Sequence, residues 1–129
     1  MKDGKHVILC VDDDRDVLEA AKVILESDGY VFAGASSAEE GLKAFDRVKP
    51  DLLIVDLMME EVDSGTGLVR ELRSRGHKVP AFMLSSVGDS LSQVTDYSDL
   101  GLAGVFQKPL DPKKLLATVG AKLGKKARK

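Results

Sequence analysis

The sequence predicts an α/β fold: a doubly wound, five-stranded parallel sheet with helices on both faces. Three observations carry this. Short apolar runs alternate five times with segments of helical periodicity. The runs are continuously apolar, as strands covered on both faces are. At 129 residues the chain also has the size of one ordinary domain. Right-handed crossovers then place any ligand site beyond the carboxyl ends of the strands. We expect one domain over 1–129, with its core at about 5–123 and a basic tail at 124–129.

The first strand is Val7-Ile8-Leu9-Cys10-Val11, which runs into Asp12-Asp13-Asp14. Asp16 with Glu19 three residues on offers a capping box for the first helix. Val17, Leu18, Ala21, Ile24 and Leu25 recur on one face of that helix, and Gly29 stops it. A second strand is expected over 30–35. Ser36-Ser37-Ala38-Glu39-Glu40 starts the second helix, whose inner face is Ala38, Gly41, Leu42 and Phe45. Pro50 closes it and leads into the third strand, Asp51-Leu52-Leu53-Ile54-Val55-Asp56. A loop at 57–65 precedes a helix carrying Leu68, Val69 and Leu72, which ends at Gly76. The fourth strand is expected over 79–84, finishing at Ser85-Ser86, with a short polar helix capped by Asp89 and running to Tyr97. The fifth strand is expected over 101–107. Asp111-Pro112 then caps a last helix with Leu115, Val119 and Leu123 inward.

Composition excludes several classes. The chain is 43% apolar and 31% charged, with a net charge of −2. No segment approaches the roughly 18 apolar residues of a membrane span, and residues 1–5 lack a signal-peptide apolar region. Cys10 is the single cysteine, sits in an apolar run and reads as core. With no disulfide possible within the chain, a cytoplasmic location is expected. From Lys108 onward there are eight Lys/Arg against one acid, leaving 11 against 20 in the rest. That basic end has no interleaved aromatic for base stacking. It reads as a solvated helix face and tail, with no direct contact to nucleic acid or membrane.

The chemistry lies just past the strands. Asp12, Asp13 and Asp14 follow the first strand, Asp56 ends the third, Ser85 follows the fourth and Lys108 the fifth. Several carboxylates in one site repel unless a cation intervenes, and hard oxygen ligands with room for water suit Mg²⁺. A lysine and a hydroxyl beside them suit the oxygens of a phosphoryl group. A nucleotide site would want a glycine-rich turn after the first strand, and three aspartates stand there instead. His6 and His77 lie away from the carboxyl edge and read as surface residues. No Cys/His spacing suits zinc.

Four ordered motifs carry a resemblance: Ile8 to Asp14; Asp51-Leu52-Leu53-Ile54-Val55-Asp56-Leu57-Met58-Met59; Pro80-Ala81-Phe82-Met83-Leu84-Ser85-Ser86; and Lys108-Pro109-Leu110. Over about 5–123 the chain resembles a CheY-like receiver domain of a two-component response regulator. The resemblance implies a flavodoxin-like strand order, 2-1-3-4-5. It implies that Asp56 is the phosphoacceptor, attacking the phosphorus of a phosphohistidine or a small phosphodonor. Asp13 and Asp56, with Asp12 largely through water and the Met58 backbone carbonyl, would hold Mg²⁺. Lys108 would pair with one phosphoryl oxygen, and Ser85 would hydrogen-bond another. Ser86 would leave the phosphate open to attack, the Lys108–Pro109 bond would be cis, and Asp14 would serve in the turn or as a cap.

The chain also departs from that family. Glu60 stands where proline is common. The loop after Asp56 is one residue longer, with Ser64-Gly65-Thr66-Gly67 in place of a single Asp-Gly turn. Val105 occupies the place of the aromatic switch, and alternation turns Phe106 to the opposite face, as core.

The expected function is therefore a stand-alone receiver, phosphorylated on Asp56 with Mg²⁺. It would signal through the face of the fourth helix, fifth strand and fifth helix. Its partners would be a histidine kinase or phosphotransfer protein and a downstream protein, and the chain itself would be a monomer or weak dimer. It is not expected to be an enzyme beyond its own phosphorylation and dephosphorylation. The rival reading is a pseudo-receiver, a binding module that never carries phosphate. An aspartyl phosphatase would want a second acid where Met58 stands.

Overall fold

The structure, a computed structural model, describes residues 5–56, 64–85 and 102–124, and the side chains of all of these except 64–66. The elements are β1 (Val7–Val11), α1 (Arg15–Ser27), β2 (Val31–Ala35), α2 (Ala38–Val48), β3 (Leu52–Asp56), α3 (Ser64–Ser74), β4 (Ala81–Ser85), β5 (Leu102–Gln107) and α4 (Pro112–Leu123). All neighbouring strands are parallel, in the order β2-β1-β3-β4-β5, as expected. The helix expected at 89–97, the loop at 57–63, Ser86 and the tail at 125–129 lie outside the described residues.

The continuous apolar runs are explained by burial on both faces. Along β1 and β3, Leu9, Val11, Leu53 and Val55 face α2 and α3, where Phe45, Leu68, Val69 and Leu72 meet them. The alternate residues Ile8, Cys10, Leu52 and Ile54 face Ala21 and Leu25 of α1 and Leu115 and Val119 of α4. Phe106 belongs to this second layer, 8% exposed and stacked on Phe82 with ring centroids 5.0 Å apart, whereas Val105 is 39% exposed. The alternation reading of these two residues holds.

Helix starts follow local capping chemistry. Ser37 caps α2 by accepting the Glu40 N–H at 3.1 Å, and the Glu40 carboxylate reaches back to the Ser36 N–H and hydroxyl. Asp111 caps α4 and Pro112 opens it. The cap of α1 is Asp14, not the expected Asp16: the Asp14 carboxylate accepts the Asp16 N–H at 2.9 Å, so Asp16 lies inside the first turn. On α2 the buried residues are Gly41, Ala44 and Phe45, with Ala38 and Leu42 half-buried. A Cβ at Gly41 would stand 3.0 Å from Leu68 and 3.1 Å from Val11, so this glycine lets α2 lie close to the sheet.

Several boundaries differ from expectation. The stretch read as part of a loop, Ser64-Gly65-Thr66-Gly67, is the first turn of α3. Its two glycines cost about 1 kcal/mol each in a helix, less than the roughly 1.5–3 kcal/mol that each of Leu68, Val69 and Leu72 gains on burial. β4 starts at Ala81 rather than 79, because Pro80 has no N–H for the ladder, and it includes Ser85. β2, β3 and β5 each begin one residue later than expected, at Val31, Leu52 and Leu102.

Candidate functional site

The parallel sheet delivers the ends of β1, β3, β4 and β5 to one edge. Asp12, fully buried, follows β1; its N–H continues the ladder to the Ala35 carbonyl at 3.0 Å. Its Oδ1 accepts the Asp14 N–H at 2.9 Å, which fixes the carboxylate plane. Asp13, next in the turn, is exposed. Asp56 ends β3 at 3% exposure, and Ser85 ends β4 at 5%. The Ser85 carbonyl accepts the Lys108 N–H at 2.8 Å, tying the fourth and fifth strand ends together just below the site. The Lys108–Pro109 bond is cis, as the resemblance implies.

One carboxylate oxygen from each of Asp12, Asp13 and Asp56 lies within 4.8 Å of the others. The Lys108 ammonium reaches two of the three groups, at 2.9 Å from Asp12 Oδ2 and 3.3 Å from Asp56 Oδ2. Burial alone would lower the Lys108 pKa. The hydrogen bond and charge of Asp12, and then those of Asp56, outweigh it and hold the amine above its ordinary value. The same burial, with Asp12 nearby, pushes the Cys10 thiol far up, so Cys10 is core and chemically inert.

Three carboxylates against one ammonium leave a formal charge of −2 at the site. Buried like charges this close need a counter-charge. The donor set is all hard oxygen, and Asp13 keeps one side open to water. The residues therefore fit a divalent cation of the Mg²⁺ type, which retains several waters.

The structure brings together Asp12, Asp13, Asp56 and Lys108, with Ser85 at the adjoining strand end. Met58 and Glu60 lie outside the described residues. His6 and His77 are away from the carboxyl edge as expected, but both are half-buried rather than on the surface, the His77 ring 4.6 Å from that of Phe45. The sequence reading missed the close pairing of Lys108 with Asp12. No local pattern could signal it, because β3 and β4 lie between the two strands that carry these residues.

The comparisons agree with this geometry. The family model for the response regulator receiver domain matches residues 8–120. The response regulator MprA of Mycobacterium leprae is 37% identical over 116 residues, which is 90% of this chain and 50% of that protein. The alkaline phosphatase synthesis transcriptional regulatory protein PhoP of Bacillus subtilis is 33% identical over 114 residues, 88% of this chain and 47% of its own. The chain thus spans about half the length of these curated relatives. Among solved structures, a CheY-like response regulator receiver domain protein from Methanospirillum hungatei is 28% identical with a TM-score of 0.84, covering 94% of this chain and 95% of that one. A response regulator from Chloroflexus aurantiacus is 32% identical with a TM-score of 0.80, covering 93% and 98%.

Proposed function

Because this chain belongs to the response regulator receiver domain family, we propose that it accepts a phosphoryl group on Asp56 and signals by the change this makes at its surface. The observation that carries the reading is the convergence of Asp12, Asp13, Asp56 and Lys108 on one buried edge. An Asp56 oxygen attacks the phosphorus of a histidine kinase's or phosphotransfer protein's phosphohistidine. The O–P bond forms, the P–N bond breaks, and the imidazole leaves with the electron pair.

Asp12, Asp13 and Asp56, with the Met58 carbonyl, would hold Mg²⁺, which when bound supplies charge neutralisation for the phosphoryl oxygens. The rest falls to this chain's own residues. Lys108, already protonated and 3.3 Å from Asp56, moves onto a phosphoryl oxygen. Ser85 donates its hydroxyl to another. Both lie at strand ends joined by the Lys108–Ser85 main-chain hydrogen bond, so the two responses are mechanically linked. The change passes to β5, α4 and the segment after β4, and from there to a downstream protein. We place this exchange in the cytoplasm and assign the chain no turnover beyond its own phosphorylation and dephosphorylation.

Acetyl phosphate with Mg²⁺ and intact-mass detection tests the reading. One added phosphoryl group is expected, absent from Asp56→Asn. No gain, or a gain that survives the substitution, would favour the phosphorylation-independent binding module instead.

A further inference from the structure

A cavity of about 310 Å³ opens at the amino-terminal edge of the sheet, the full length of β3 (about 13 Å) from the acidic site. We infer that it is a binding site for a compact aromatic anion. Its size sits at the lower end of the range for ligand pockets, roughly 300 Å³, which suits a single ring bearing one charged group.

Its walls come from three segments. Phe45 at the end of α2 and Pro50 before β3 are buried and apolar, and Val79 closes the far side. The His77 ring lies 4.6 Å from that of Phe45 at an interplanar angle of 54°, so two ring surfaces meet at the cavity. A flat apolar ligand can lie against such surfaces.

The rim supplies the charge selectivity. Lys49 and Lys78 line the cavity with Asp46. Asp46 pairs with Arg75 at 3.9 Å, while among the described residues neither lysine forms an ion pair. The mouth therefore carries a surplus positive charge above an apolar floor.

The site is also built in advance of any ligand. Arg73 donates to the carbonyls of His77, at 3.1 Å, and Val79, at 2.8 Å, and the His77 N–H is bound to the Leu72 carbonyl at 3.0 Å. These bonds fix the connection into β4 that forms one wall. Lys49 is the one described non-glycine residue with positive φ, at 48°, a left-handed conformation that glycine would hold without strain. That conformation ends α2, with the Lys49 N–H bound to the Phe45 carbonyl, and fixes the lysine backbone at the rim.

The inference is independent of phosphorylation at Asp56 and is tested on the unphosphorylated full chain. Benzoate, benzyl alcohol and benzylamine are titrated in turn while backbone amide NMR shifts are followed. Benzoate is expected to move the amides of 45–49 and 77–79 and to bind about fivefold tighter than benzyl alcohol, with benzylamine weakest. Lys49→Gly, which suits φ 48°, is expected to bring benzoate down to the affinity of the alcohol while leaving the melting temperature unchanged or raised. Three results would overturn the inference: no shifts in those two segments, equal binding of the neutral alcohol, or full benzoate affinity in Lys49→Gly.

Discussion

The Lys108 ammonium and the Asp12 carboxylate meet at 2.9 Å across the ends of two intervening strands. Asp12 is fully buried, so this pair balances a charge that water does not reach. Lys108→Met is therefore expected to destabilise the cation-free protein by about 2–3 kcal/mol, less than a fully enclosed pair would cost because Lys108 remains 17% exposed. Urea unfolding in a chelating buffer measures it. A loss under about 0.5 kcal/mol would mean that Asp12 is compensated elsewhere.

Asp13 adds negative charge to a site that already holds an excess. Asp13→Asn is expected to raise the melting temperature in chelator by a few degrees, as about 1 kcal/mol of repulsion is relieved. It should also abolish most of the stabilisation that millimolar Mg²⁺ gives the unaltered protein. A Mg²⁺-dependent shift of equal size in both proteins would remove Asp13 from the proposed ligand set.

Glu40 makes the start of α2 sensitive to acid. Hydrogen bonds from the Ser36 N–H and then the Ser36 hydroxyl hold its pKa below the ordinary value of 4.5. A depressed carboxylate pKa contributes stability that is complete above the unfolded value and lost as pH falls through the folded one. Stability attributable to Glu40 should therefore decline below about pH 4.5, and Glu40→Gln should flatten that part of the profile. Chemical denaturation at a series of pH values reads the difference. Equal slopes in the two proteins would show that the cap does not depend on ionisation.

Phe106 and Val105 are adjacent yet should respond differently. Phe106→Ala removes a ring stacked on Phe82 and is expected to cost about 3 kcal/mol. Val105→Ala, on the more exposed face, should cost less than about 1 kcal/mol. Comparable losses would contradict the assignment of Phe106 to the core and Val105 to the surface.

How much of this was legible in the sequence depends on the range of the interaction concerned. The strands could be read because burial on both faces forbids polar interruption, and the caps at Ser37 and Asp111 because capping acts over three residues. Asp14 and Asp16 compete for one helix end, and a choice two residues apart lies below what periodicity resolves. The start of α3 was misplaced because glycine weakens a helix without forbidding it, and packing further along decides. At the acid edge the participants could be named from strand ends alone. Their pairing could not, since Lys108 meets Asp12 only after four strands have been laid side by side.

Gly41 has a bearing on the acid site that its own position does not suggest. Its missing Cβ leaves room for Val11, and the next residue in the chain is Asp12. Any side chain at 41 must push Val11 or Leu68 aside by a few tenths of an ångström, and Val11 sits directly beneath the first carboxylate. The tolerances of the charged edge are therefore set in part from the middle of a helix that contributes no charge to it. A residue with nothing to donate, accept or coordinate acts as the shim on which the alignment of those that do depends.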